Sequence, residues 1–282
     1  MSQDKPLPLQ ADGRYRFTLS SFDPVEIDIV VPQVTDYDVL IAVAGYLALA
    51  HASLSDFDQA WIDAHHAEIG IEEPVPIPEY LEMMRKAVTS AQRSFTEGQK
   101  PALCAQALAE RLEQQVPPAL VKNVEQGLLG ALEAEEKASP QEFRESLKMQ
   151  QAGSAAELAR MQAPQIAAQY AALDAYADHI RLEVKEDELA GLLRLAPQDA
   201  RAAFQKAKAE GSYPALIAEA RRNKCTLVLA EKCVCHYHEE SEESARERRR
   251  SYRQLEEAEH IDLDAERRRL FGSQEGPVFR LV

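Results

Sequence analysis

Only residues 14–31 of this chain carry a β pattern, and two strands cannot make a domain by themselves. Arg14–Leu19 alternates apolar with polar, Ser20–Pro24 has turn chemistry, and Val25–Val31 alternates again, which predicts a short N-terminal β-hairpin. Whatever the hairpin lies on must be helical, because the chain beyond Pro32 is rich in Ala, Leu, Glu, Gln and Lys. The fold class expected is mainly α.

Capping and breaking residues divide the helical part. Thr35 ahead of Asp36 and Asp38 reads as an N-cap with an acidic first turn, opening an apolar helix to about residue 52. Ser55–His66 reads as a short helix, and the prolines of Glu72–Pro78 as a polyproline-like connector. Glu79–Gln115 is helical in pattern, with Gly98 and Pro101 expected to break or kink it. Pro117 and Pro118 start the next helix. Ser139 with Glu142, and Ser154 with Glu157, are two capping boxes that mark two further helix starts. The second of these helices carries Leu158, Met161, Ile166, Tyr170, Leu173, Ala177 and Ile180, with Pro164 expected to kink it. Pro197 and Gly211–Pro214 punctuate the chain after it, and Ala215 to about Glu239 reads as the last strongly apolar helix. Residues 240–282 are charge-dense, with arginine runs at 248–250 and 267–269, and read as a mobile, partly helical tail.

Composition excludes several functions. Apolar residues make up 45 % of the 282, enough for a core without disulfides or metals, while 28 % are charged. A net charge of −15 argues against a large phosphate-binding face, so nucleic acid is not an expected partner. The apolar run from Val39 to Ala50 is well short of the ~20 residues a bilayer requires, so no membrane partner is expected either. The opening Met-Ser-Gln-Asp-Lys-Pro lacks an apolar stretch behind a basic one, which reads as cytoplasmic. Cys104, Cys225, Cys233 and Cys235 are then expected as reduced thiols.

The helical stretch resembles the carboxy-terminal chaperone domain of trigger factor, the bacterial ribosome-associated chaperone. The resemblance rests on an ordered series: Leu54-Ser-Asp-Phe57, Val116-Pro-Pro-Ala-Leu-Val121, Glu142-Phe-Arg-Glu-Ser-Leu147, Gly153-Ser-Ala-Ala-Glu-Leu158, the proline at 164, Val184-Lys-Glu-Asp-Glu-Leu189, and Lys224–Leu229. It covers most of residues 54–238. Val25–Pro32 and Val34–Val39 resemble the segment linking that family's ribosome-binding and prolyl isomerase domains, yet the isomerase insertion expected near Ser53 is missing and the family's glycine-phenylalanine-arginine-x-glycine-lysine docking loop occurs nowhere. Pro101, Lys185 and residues 240–282 depart from the family pattern.

The resemblance implies a helical cradle with arms over residues 54–239, residues 1–53 packed along it as strands and linker helix, and 240–282 as the tail. It also implies ATP-independent holdase binding of unfolded or nascent polypeptides, without isomerase activity, without cofactors and with weak or absent ribosome docking. A dedicated assembly partner for one folded protein is the alternative, and an inherited prolyl isomerase a weaker one. Because apolar linings favour self-association, a homodimer stays open. Met83, Met84, Phe95, Phe143, Met149, Met161 and Tyr170 are the candidate client-binding residues, although methionine at helical spacing is usually core. Leu263, Leu270 and Phe271 form a sparse stripe expected to dock the tail in the cradle as a stand-in for a client.

Nothing points to catalysis. There is no glycine-rich phosphate loop, no G-x-S-x-G and no H-E-x-x-H. The one constellation with ligand chemistry is Cys233, Cys235, His236 and His238, but its spacing is not that of a zinc site, and on a helix the two thiols would diverge. Buried thiols and a helix-terminal histidine pair are expected there instead, with no metal. His65 and His66 are expected to be half-packed rather than functional.

Overall fold

A computed structural model describes residues 15–259 and 261–272. In chain order the elements are β1 (Glu26–Val31), α1 (Asp36–Leu49), α2 (Gln59–His65), α3 (Ile77–Ala109), α4 (Pro118–Ala138), α5 (Pro140–Met149), α6 (Ala155–His179), α7 (Leu189–Leu192), α8 (Pro197–Glu210), α9 (Tyr213–Lys232), β2 (Val234–Glu239), α10 (Glu242–Glu259) and α11 (Leu263–Phe271). The chain is mainly helical, as expected, and divides into two compact units: residues 1–27 with 100–234, and residues 28–99 with 235–282.

The expected hairpin does not form. β1 alternates as predicted, burying Ile27, Ile29 and Val31, but its partner is β2. Val25 O accepts from Val234 N at 2.9 Å and Val31 O from Glu240 N at 3.0 Å, a constant register that makes the pair parallel. Of the first expected strand, Arg14 lies outside the described residues; Thr18 and Ser20 bond instead to the Arg111–Glu113 backbone. The reason lies in the intervening turn. Ser21 and Asp23 hydrogen-bond each other, and Arg111 clasps the Asp23 and Pro24 carbonyls at 2.5 and 3.1 Å, steering the chain away from a hairpin reversal.

The helix expected to run to Glu239 ends at Lys232 for a related reason. Val234–Glu239 contains Val234 and Tyr237 and no strong helix former before Glu239, and β1 offers it an open edge whose backbone groups need partners. Pro101 and Pro164 break nothing: α3 and α6 continue through both. Each proline deletes one backbone bond, and good helix formers on either side hold the rest. Of the two capping boxes, Ser154 accepts from Glu157 N at 3.2 Å, whereas Ser139, at once the last cap of α4 and the first of α5, makes no side-chain cap.

The first unit is organised around α6. Alanines 155, 159, 163, 167, 171 and 175 recur every four residues and all are buried. Side chains this small let neighbouring helices approach closely. A four-residue step drifts about 40° around the axis, so over five steps the ridge turns about 200° and serves different neighbours at its two ends. The N-terminal half faces α4 and α5, with Arg160 3.8 Å from Glu125 and Gln162 donating to Gln150 at 2.7 Å. The C-terminal half faces α9, where Arg222 grips Asp174 with two hydrogen bonds of 2.9 and 2.7 Å and Cys225 donates to the Leu173 carbonyl.

The second unit has its own apolar core. Val34, Val39, Leu40, Val43 and Leu47 of α1 and its approach meet Leu54, Phe57, Ile62, Tyr80, Leu81 and Met84. Residues 240–272, read from sequence as a mobile tail, form α10 and α11 within this unit, and Leu263 is only 2 % exposed in that core. The stripe of Leu263, Leu270 and Phe271 docks on a face shared by residues 34–47 and by residues 54–84, the beginning of the 54–239 segment. The remaining tail positions, 260 and 273–282, and residues 1–14 lie outside the described residues.

Candidate client-binding surface

The seven candidate apolar residues split by burial. Met149 is 80 % exposed and Phe95 68 %, and Met83, Met161 and Tyr170 are also exposed. Met84 and Phe143, at 7 % and 1 %, are core residues and drop out as client contacts. Phe143 is the residue that fastens α5, burying an aromatic ring where α5 has no other buried side chain. Met84 belongs to the core of the second unit.

Three of the exposed candidates lie in the first unit. Met149 ends α5 and Met161 lies in the second turn of α6; the hydrogen bond between their chain neighbours Gln150 and Gln162 draws these two positions together. Tyr170 is less available, since the Arg222 guanidinium sits over its ring at 4.6 Å. Met83 and Phe95 both lie on the α3 part of the second unit.

Sequence reasoning passed over Leu49 and Leu227, which are exposed at 81 % and 51 %. Leu49 is the last residue of α1, and Leu227 lies between the buried Cys225 and Leu229 on α9. Both look like interior residues in an apolar run, and only the placement of the packed face separates them. A concavity of about 330 Å³ in the first unit was also missed. It is lined by Val184, Leu189, Tyr213 and Ile217, with Lys208 3.5 Å from Glu186 and over the Tyr213 ring at 4.6 Å. An apolar side chain of a bound segment fits the scale and lining of such a hollow.

Position settles the geometry of the Cys–His constellation. In β2 successive side chains alternate, so Cys235 points to the face opposite His236 and His238, and His238 Nε2 lies 2.6 Å from Asp28 Oδ1. Among the described residues no three His, Cys, Asp or Glu side chains converge as a metal site would require. Cys225 is buried against α6, and burial pushes its thiol up to about 12. The histidine pair serves packing: His65 Nδ1 bonds to the Trp61 carbonyl and stacks on that indole at 4.7 Å, while His66 Nδ1 bonds to the Ile71 carbonyl at 3.0 Å.

No protein-family model, no curated protein and no solved structure matches this chain. No helix among the described residues is long and apolar enough to cross a membrane.

Proposed function

We propose that this protein is an ATP-independent chaperone of the cytoplasm, a holdase of the trigger factor type without an isomerase domain, that binds unfolded or nascent polypeptides. The observation that carries the reading is the pair of exposed methionines, Met149 and Met161, on a helical unit whose interior is closed without them by Phe143, Leu158 and the α6 alanines. Flexible, polarizable side chains that stability does not require are suited to clients of varied shape. The ordered motif series supports the same reading, and the net charge of −15 would keep exposed apolar surface soluble and disfavour ribosomal RNA and other nucleic acid.

The test is suppression of aggregation of a chemically unfolded model protein by the full chain, without nucleotide. Met149→Asp with Met161→Asp should lose several-fold in that assay while leaving the free energy of unfolding within about 1 kcal/mol of wild type, at about 0.5 kcal/mol for each surface change. A wild-type chain that leaves aggregation untouched at stoichiometric excess defeats the proposal.

A further inference from the structure

We infer that α11 is a detachable lid on the second unit, covering an apolar face that clients take when it lifts; this rests on the chaperone reading above. The lid is held by polar contacts and by a short apolar stripe, Leu263 buried in the core and Leu270 and Phe271 partly buried against it. Arg267 reaches Asp36 at 3.3 Å, and Tyr37 donates to Asp264. Arg269 spreads its guanidinium over two backbone carbonyls, Phe57 O at 2.9 Å and Leu54 O at 2.8 Å. Arg85 lies 5.5 Å from the centre of the Phe271 ring. These contacts place α11 across the first turn of α1, the 54–57 turn and the start of α3.

Three observations make this a lid rather than a pillar. Of the fourteen buried members of the core among the described residues, thirteen lie within residues 34–84; α11 adds Leu263 and rests the partly buried Leu270 and Phe271 on the outside, so most of the core is formed without it. Charge favours this seat: residues 28–99 hold twelve Asp and Glu against three Lys and Arg, a net of −9, while α11 carries three consecutive arginines against Asp264 and Glu266, a net of +1. Finally, α11 is nine residues long, below the ~12–15 at which an isolated helix is stable in water, so lifting it and unfolding it are one event. That coupling leaves no competing folded form of the segment and makes the transition one of order to disorder.

Lifting would uncover the surface shared by Leu54, Phe57 and α1, on the same unit as the exposed Met83 and Phe95. Native-state hydrogen exchange on the wild-type full chain reads the lid directly. The α11 amides should exchange at least about tenfold faster than those of Val39–Leu47 in α1, through an opening that leaves α1 closed. Equal protection of the two helices, lost together in mild denaturant, overturns the inference.

Full-chain Leu263→Asp with Arg269→Ala should then strip protection from α11 alone, raise the fluorescence of an apolar dye several-fold, and raise aggregation suppression above wild type. Loss of α1 protection in this variant would make α11 a structural part of the core. Release of α11 with no gain in client binding would remove the lid even if the wild-type chain suppresses aggregation, in which case the chaperone reading stands without it. A lid that opens on a chain inert toward clients in both forms removes both.

Discussion

Arg248 and Asp38, 210 positions apart in the chain, meet as an ion pair at the first turn of α1, with Asp38 buried and Arg248 partly buried. All five guanidinium N–H groups of Arg248 are matched: Nη1 donates to Asp38 and to Tyr252 Oη, Nη2 to the Gln33 carbonyl at 3.0 Å and to Glu240 at 2.8 Å, and Nε to Glu240 at 3.2 Å. Asp38 in turn accepts from the Thr35 N–H and hydroxyl, so one carboxylate both caps α1 and anchors α10.

Arg248→Met should therefore lower the stability of the second unit by about 2–4 kcal/mol, because it strands the Asp38 and Glu240 carboxylates where water reaches them poorly. Arg248→Lys keeps the charge but cannot span both acids from one nitrogen, and should cost about 1–2 kcal/mol. Urea unfolding measures both. Asp38→Asn in the Arg248→Met background should be less harmful than the two changes summed, since it removes one stranded charge.

The same cluster sets the pH limits of this unit. Burial works to raise the Glu240 carboxyl, but the hydrogen bonds and charge of Arg248 outweigh it, so its pKa falls below the ordinary 4.5. A depressed acid contributes stability that is complete above 4.5 and is lost as pH falls through the lower folded value, so the unfolding midpoint should drop on acidification below that point. On the alkaline side Tyr252, raised to about 12 by burial and then by Asp38, contributes stability that is complete below 10 and lost as pH climbs toward 12. Tyr80, buried in the core and also raised to about 12, acts in the same direction. A tyrosinate absorbance titration should show a late-ionising fraction that Asp38→Asn reduces, because the Asp38 hydrogen bond and charge help to raise Tyr252.

How much of the fold was legible in the sequence depends on how local each signal is. The alternation of Val25–Val31 and the cap at Ser154 each depend on a few neighbouring residues, and each stands as expected; Pro197 and Gly211, expected only to punctuate the chain, open and close α8. Strand pairing is not local: β1 could be recognised, but that its partner is β2, over two hundred residues away, could not. β2 itself was hidden because no turn residue separates Lys232 from Val234, so a helix pattern runs visually into the strand. The apolar stripe of Leu263, Leu270 and Phe271 was visible while its destination was not, since the face that receives it is assembled from α1, the 54–57 turn and α3. Among the client candidates, Met84 and Met83 are adjacent in sequence and opposite in burial, a difference that only the packed face of α3 decides.

Thiol chemistry should separate the four cysteines. Cys104 and Cys225 are fully buried, and Cys225 is held protonated far above neutrality by burial, so neither should react with an aromatic disulfide reagent in the native state. Labelling should be confined to the partly buried Cys233 and Cys235, with the other two appearing only as the first unit unfolds. Rapid native labelling of Cys225 would contradict the packing of α9 on α6.

The alanine ridge yields the sharpest test of the first unit. Ala163 lies in the N-terminal half of α6 and has no exposed surface, close to where Arg160 of α6 meets Glu125 of α4. Ala163→Leu inserts three carbons where neighbouring helices leave room for a methyl group, so either the helices separate or the leucine takes a strained rotamer, at about 1–3 kcal/mol. Ala163→Gly probes the opposite error: it removes the methyl group and loosens the helix by about 1 kcal/mol without forcing the helices apart. Both variants should unfold earlier than wild type, but only Ala163→Leu should disturb the neighbouring helix, seen as faster hydrogen exchange along the Leu128–Leu132 stretch of α4. If Ala163→Leu is as stable as wild type, the close approach read from the four-residue repeat is wrong and α4 and α6 have slack between them.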